Sequence, residues 1–222
     1  MRRAILPLLL LLLAVPAFAK THNVAFGKPL NVKLFVGPAE DQVQPMTVRG
    51  LYVDGKLKEF TTGETHDVTE QSFVVRRAFR VNDVLPEDEK KVPNWKWQRG
   101  GWLLVDKASG RVARLDLPDF DPYYSTTSWF RDYAAYCGLS GDAEKVYAVV
   151  VQLGQKKPLM RKLLGAAKGD PLPDSECAPP KWQRAPVRVT FEPAGKAQVT
   201  FAVKGRWVEL APESETPEPD NE

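Results

Sequence analysis

The chain beyond its first nineteen residues is dominated by short segments in which apolar and polar positions alternate, or in which β-branched and aromatic residues run together. Such segments, bounded by Gly, Pro, Asp and Asn, are typical of β-strands. No comparable stretch shows the period of an amphipathic helix. The pattern therefore predicts an all-β fold, with its clearest strands in NVKLFVG, FVVRRAFRV, GGWLLVD, WFRDYAAYC, KVYAVVVQL, VRVTF and QVTFAV.

Four glycines stand where β-hairpins would reverse direction. Asp54-Gly55 is a strong type I′ turn sequence, and Gly110, Gly154 and Gly195 each lie between two strand segments. The sequence therefore predicts four antiparallel hairpins. Their glycines follow one another at intervals typical of repeating β units.

The tetrapeptide KWQR occurs twice, at 96–99 and at 181–184. The copies lie two of these intervals apart, which favours a repeated scaffold, with Trp97 and Trp182 at equivalent positions, over a duplicated binding site. Residues 100–117, and the segment SWFRDYAAYCGLSGDAEKVYAVVVQLG after them, resemble blades of β-propeller proteins. This resemblance implies antiparallel hairpin repeats in a propeller-like or partial propeller arrangement, and it implies no functional residues. A two-sheet β-sandwich is the alternative.

The two ends of the chain differ in composition from the rest. Two arginines, a short Leu-rich run and an A-x-A sequence predict a signal peptide over 1–19, and the apolar run is too short for a membrane anchor. Residues 211–222 carry five acidic residues among three prolines and predict a disordered acidic tail. We expect 20–210 to form a single all-β domain that is exported to the periplasm or the extracellular space.

Charge and cysteine usage narrow the possible functions. The formal net charge of +3 is mild and scattered, which argues against nucleic-acid binding. The chain has two cysteines, Cys137 and Cys177, and in an exported protein we expect them to form a disulfide. Alternation along FVVRRAFRV places Arg77 on the apolar face of its strand. A buried ion pair is predicted there, because an unpaired buried charge is strongly destabilising.

Residues with obvious catalytic or metal-binding patterns are sparse. Hydrolase nucleophile motifs and phosphate-binding glycine loops are absent from the sequence. His22 and His66 lack the neighbouring ligands that a zinc site usually has. We therefore expect no metal and no cofactor. The balance favours a binding protein, although an enzymatic role is left open.

The segment DLPDFDPYYSTTSWFRDYAAYCGLS is the richest in functional side chains. Carboxylates interleaved with aromatic rings suit a sugar-binding cleft, and they equally suit a loop whose Asp residues cap turns and whose rings fill a core. The candidate ligand-binding residues are Asp119, Asp121, Tyr123, Tyr124, Trp129, Arg131 and Asp132.

Two functions follow as expectations. The first is an exported non-enzymatic binding or scaffold protein that recognises an envelope or extracellular partner, either a protein or a glycan. The alternative is a secreted carbohydrate-binding or carbohydrate-active protein that uses the 116–133 region. The identity of the ligand and the oligomeric state do not follow from the sequence.

Overall fold

The computed structural model describes residues 22–36, 42–84, 92–167 and 177–211. All regular secondary structure in these residues is β-strand, so the all-β prediction is confirmed. Within the same residues, no helix has the length and apolar character needed to cross a membrane. The predicted signal peptide and, apart from Ala211, the predicted acidic tail lie outside the described residues.

The strands form three sheets. The first contains β1 (Val24–Phe26), β2 (Leu30–Phe35), β3 (Val43–Val53), β4 (Lys56–Thr69), β5 (Ser72–Asn82), β6 (Trp95–Asp106) and β7 (Arg111–Arg114). The second contains β8 (Ser128–Phe130), β9 (Tyr133–Leu139), β10 (Lys145–Gln152) and β11 (Met160–Ala166). The third contains β12 (Cys177–Arg184), β13 (Val187–Pro193), β14 (Val199–Lys204) and β15 (Trp207–Leu210).

Strands β2 to β6 close into a small barrel. Each strand pairs antiparallel with the next, and β2 then pairs with β6 in parallel, with Leu34 opposite Trp97. The one parallel pair is a consequence of the odd strand number, because strands that alternate in direction meet in the same direction when five of them form a ring. Strand β1 adds to β3, and β7 adds to β6.

Two apolar clusters lie on opposite faces of the barrel wall. Val75 and Ala78 of β5 belong to different clusters, because successive side chains of a strand alternate between its faces. The cluster around Ala78 draws side chains from all five barrel strands and is therefore the barrel interior. Its buried members are Leu34, Met46, Val48 and Ala78, with Phe60 and Trp97 packed against them. Strands β1 and β7 contribute to the other cluster.

The second and third sheets pack face to face. Buried side chains of β9 and β10 form one cluster with those of β13 and β14, as in a β-sandwich. The predicted disulfide is confirmed: Cys137 of β9 is bonded to Cys177 of β12. On the other face of the second sheet, Leu117 and Phe120 pack against Tyr136 and its neighbours. The second sheet is therefore covered on both faces.

The four hairpin predictions are confirmed. Gly55, Gly110, Gly154 and Gly195 have φ angles of 75°, 65°, 82° and 69°, and they lie in the turns after β3, β6, β10 and β13. Asp54 also has a positive φ, of 51°, as a type I′ turn requires. Left-handed backbone is accessible to glycine without a steric penalty, which explains why these positions could be read from the sequence.

The two KWQR copies lie in unlike surroundings. The first is inside β6, which continues past Gly100 and Gly101 through an irregularity in its pairing with β5. The second ends at the β12–β13 hairpin, where Arg184 pairs with Val187. Trp97 packs inside the barrel, and Trp182 packs against the core between the second and third sheets. Both tryptophans are core residues, but they are not equivalent positions of one repeated unit.

Candidate functional site

Residues 115–127 connect the barrel to the second sheet and contain four of the candidate ligand residues. Asp121 caps a turn, since its Oδ1 accepts hydrogen bonds from the backbone N–H groups of Tyr123 (2.7 Å) and Tyr124 (2.9 Å). Tyr124 is buried in the core shared by the second and third sheets. Tyr123 is 40% exposed, and burial of its ring, followed by the Asp121 charge, raises the pKa of its hydroxyl.

Asp119 is held by an ion pair. Arg161 donates from Nε to Oδ2 at 2.6 Å and from Nη2 to Oδ1 at 3.1 Å, and this contact raises the pKa of Arg161. Asp119 has a φ of 56°, and its carbonyl accepts a hydrogen bond from Leu139. The paired carboxylate therefore anchors the connecting segment to β11, while its backbone anchors the segment to β9.

The last three candidates lie on the β8–β9 hairpin. Asp132 accepts a hydrogen bond from Gln152 Nε2 at 2.8 Å, and the Arg131 guanidinium lies 5.2 Å from the centre of the Phe130 ring. Trp129 packs between the hairpin and the barrel. The seven candidates therefore take part in a turn cap, an ion pair, a side-chain hydrogen bond and ring packing, with the buried Nε1 of Trp129 left unpaired. The structure does not bring the seven into one cavity.

The arginine pair at 76–77 projects to both faces of β5. Arg77 forms an ion pair with Glu59 at 2.9 Å, and both side chains are 23% exposed. Arg76, on the face of the barrel interior, is only 7% exposed. Sequence reasoning selected Arg77 from its apolar neighbours and missed Arg76. The available signal was that Ala78, on the same face as Arg76, is small enough to lie inside a narrow barrel.

Arg76 connects the barrel to the segment that follows it. Its Nε donates to the Gly100 carbonyl at 3.2 Å, and its Nη2 donates to the Pro122 carbonyl at 2.6 Å. Its guanidinium also lies 5.5 Å from the centre of the Phe120 ring. One side chain of β5 thus holds both β6 and the connecting segment in place.

A row of aromatic side chains continues this junction. His66 of β4 donates from Nε2 to the Arg131 carbonyl at 2.8 Å, and its ring stacks on Trp129 with centroids 6.0 Å apart. Trp129 meets Trp102 edge to face at 5.2 Å. Trp102 donates from Nε1 to Thr127 Oγ1 at 3.0 Å. These contacts hold the beginning of the second sheet against β4 and β6.

A cleft of about 420 Å³ opens beside this junction, at one end of the barrel interior. Leu34 and Met46 from the interior cluster form its apolar floor. The walls carry two guanidinium groups, Arg76 and Arg99, and one carboxylate, Glu64. Its volume falls in the range of small-molecule sites, about 300–1,000 Å³, and the mouth of a β-barrel is a common place for one.

Hydroxyl groups line the cleft between these charges. Thr62 Oγ1 is buried and has no hydrogen-bond partner. Thr127 Oγ1 accepts a hydrogen bond from Trp102 Nε1, so the Thr127 hydroxyl can still donate a hydrogen bond to a further acceptor. Native proteins rarely leave a buried hydroxyl unpaired. Thr62 therefore leaves one hydroxyl unpaired within the lining of this cleft.

The barrel interior ends differently on the side away from the cleft. There the Arg80 guanidinium lies 5.5 Å from the centre of the Trp95 ring and 5.3 Å from that of Trp97. Trp97 in turn meets Phe60 edge to face at 5.4 Å. Cation–π and aromatic contacts link the side chains at this end, whereas the cleft opens at the end lined by Arg99. The first KWQR copy therefore contributes one core residue and one cleft residue.

A second depression, of about 550 Å³, lies at the end of the β10–β11 pair. Glu144 and Lys145 are its two charged lining residues, and the rest of the lining is small or apolar: Ala143, Leu163, Gly165, Ala166 and Ala167. No cluster of three or more His, Cys, Asp or Glu side chains suited to a metal ion occurs among the described residues. The barrel mouth is therefore the better candidate for a specific ligand.

Comparison of the chain with protein-family models, with curated proteins and with solved structures finds no match.

Proposed function

We propose that this chain is an exported, non-enzymatic binding protein that recognises an envelope or extracellular partner through the mouth of its barrel. The observation that carries the proposal is the cleft, in which charged and hydroxyl groups converge over an apolar floor and one buried hydroxyl lacks a partner. A site of this composition fits a ligand that has both an apolar surface and hydrogen-bonding groups.

The covalent framework agrees with export. Disulfides persist in oxidising compartments, and the Cys137–Cys177 bond joins the two sheets that share the largest core. The predicted signal sequence adds a periplasmic or extracellular destination to the proposal.

Photo-crosslinking in intact cells tests the recognition of a partner. A photoreactive residue is placed at Gln44, an exposed residue of the cleft, and as a matched control at Lys58, an exposed barrel residue outside it. We expect the photoreactive residue at position 44 to form a crosslink to an envelope component, and the one at position 58 to form no such crosslink. Equal adducts at both positions, or none at position 44, would count against the barrel mouth as the recognition surface.

The alternative, carbohydrate binding, is favoured by one wall of the cleft. The indole of Trp102 lies beside hydroxyl, guanidinium and carboxylate groups, which is the combination that holds a sugar ring and its hydroxyls. The 116–133 region contributes Thr126 and Thr127 to this wall.

Tryptophan fluorescence tests this alternative, since Trp102 lines the cleft. Soluble oligosaccharides should change the emission of the wild-type protein, and Trp102→Phe should reduce the change while far-ultraviolet circular dichroism stays constant. Tyr123→Phe, outside the cleft, serves as the control. The absence of any response across neutral and acidic oligosaccharides would end the carbohydrate proposal.

A further inference from the structure

We infer that the barrel mouth selects an acidic saccharide, with the carboxylate of a uronic acid directed into the cleft. The inference rests on the carbohydrate alternative proposed above and deepens it. Three independent features of the cleft support it: the burial of its charged side chains, the hydroxyl groups in its lining, and its size together with its apolar and aromatic surfaces.

The cations of the cleft lie deeper than its anion. Arg76 is buried and Arg99 is half-buried, whereas Glu64 is exposed at the rim. The lining carries a net charge of +1 however these groups pair with one another. Water and salt screen an exposed carboxylate much more than they screen a buried guanidinium, so the field deep in the cleft is positive. An anionic group is therefore stabilised at the bottom and not at the rim.

The hydroxyl groups add donors at the same place. Thr62 Oγ1 has no hydrogen-bond partner. Thr127 Oγ1 accepts a hydrogen bond from Trp102 Nε1, so the Thr127 O–H can donate one to a ligand. Thr47, by contrast, already donates to Asn31 Oδ1 at 3.3 Å. Hydroxyl donors beside two guanidinium charges match an anionic group that only accepts hydrogen bonds. An ionised carboxylate, with two acceptor oxygens, is such a group.

The remaining surfaces fit a sugar ring. Leu34 and Met46 form an apolar floor, and Trp102 forms a wall, so the C–H face of a pyranose has a place to pack. Glu64 at the rim can accept hydrogen bonds from sugar hydroxyls that remain near the entrance. A volume of about 420 Å³ is near the lower end for ligand sites and favours one or two rings over a long chain.

Isothermal titration calorimetry with two disaccharides tests the inference. Cellobiouronic acid and cellobiose differ at one carbon, which is a carboxylate in the first and a hydroxymethyl group in the second. We expect the acidic disaccharide to bind at least tenfold more tightly at low salt, and the preference to shrink at high salt. Equal binding of the two would overturn the inference and leave carbohydrate binding standing. If neither binds, the inference fails; the oligosaccharide fluorescence test still decides carbohydrate binding, and the crosslinking result still decides partner recognition.

Two variants show whether this cleft makes the selection. Arg99→Gln should weaken the binding of cellobiouronic acid by roughly 10- to 100-fold, which is the loss expected for a hydrogen bond to a charged group. The affinity for cellobiose should stay unchanged. Arg111→Gln removes the same charge from an exposed site on β7 and should change neither. Equal weakening by both variants would mean that only the overall charge matters, which would overturn the assignment.

The variant Thr62→Val tests whether weaker ligand binding can occur without loss of the fold. Valine keeps the shape of the side chain and removes a hydroxyl that has no partner in the unliganded protein. We expect weaker binding of cellobiouronic acid together with an unfolding temperature that does not fall. Unchanged affinity in this variant would show that the hydroxyl does not contact the ligand and would remove the donor argument.

Discussion

The barrel and the paired sheets bury their apolar residues in different ways. In the described residues, the barrel interior has four buried members, and it is bounded by charged and aromatic side chains at both ends. The core between the second and third sheets has twelve, and a disulfide ties those sheets together. The cleft therefore lies beside the smaller of these two apolar clusters. The paired sheets share the larger core, and the barrel carries the open, polar cleft.

Removal of the disulfide should give the largest effect. The double variant Cys137→Ala, Cys177→Ala frees a loop of 40 residues, and chain entropy predicts a loss of about 4 kcal/mol in the free energy of unfolding. Guanidinium denaturation measures the loss. Hydrogen exchange should show faster opening of β9 and β13 with little change inside the barrel. Equal loss of protection in both regions would contradict the division between them.

The next largest loss of stability is expected when either tryptophan of the two KWQR copies is replaced. Trp182 stacks on Phe130 with ring centroids 5.5 Å apart and donates from Nε1 to the Ser128 carbonyl at 3.1 Å. Trp182→Ala and Trp97→Ala should each lower stability by about 3 kcal/mol, at the lower end for a large aromatic because both are only partly buried.

The two tryptophan variants should destabilise different regions of the molecule. Trp182→Ala should loosen the paired sheets, and Trp97→Ala should loosen the barrel and thereby weaken ligand binding in the cleft at the other end of the barrel. Hydrogen exchange read strand by strand distinguishes these results. The same strands opening in both variants would mean that the two regions unfold as one unit.

A smaller effect is expected at the junction. Arg76→Met keeps much of the volume but removes the donors to the Gly100 and Pro122 carbonyls, so stability should fall by about 2 kcal/mol. Calorimetry should then resolve separate unfolding transitions for the two regions. Arg111→Met, at an exposed site, is the control and should leave a thermogram like that of the wild type. A single unbroken transition in Arg76→Met would show that other contacts couple the regions.

The smallest change in the free energy of unfolding is expected at Thr62, and it is the only predicted increase. Because its buried hydroxyl has no partner, Thr62→Val should raise the free energy of unfolding of the unliganded protein by about 1 kcal/mol. Thr61→Val is the matched control, since Thr61 donates to the Arg49 carbonyl at 3.2 Å and its loss should destabilise. A loss of stability in Thr62→Val would mean that the hydroxyl is satisfied in solution.

The sequence predicted those parts of the fold that depend on neighbouring residues. The turn at Asp54-Gly55 follows from local backbone preferences, and the run of β-branched residues in β10 predicted a strand. The pairing of β2 with β6 is different, because nothing in the sequence near Leu34 or Trp97 specifies a partner so far along the chain. The barrel was therefore absent from both predicted arrangements, the propeller-like one and the sandwich.

The candidate site could be predicted only in part for a related reason. Asp119 and Asp121 stood out because carboxylates among aromatic residues suit a binding cleft, yet the same residue types cap turns and form ion pairs, as they do here. The barrel mouth has no contiguous signature, since its walls come from four strands and the connecting segment. Thr62 and Arg99 become neighbours of one cavity only after the barrel has closed.

Closure of the barrel also has a consequence for folding kinetics. The second and third sheets are meanders in which each strand pairs with the next, so they form through short loops. The barrel is complete only when residues about 60 positions apart meet, and such long-range contacts form slowly because a large loop must be ordered first. We therefore expect the ring to close late in folding. In a refolding experiment, ligand-binding competence should then lag behind the recovery of hairpin structure.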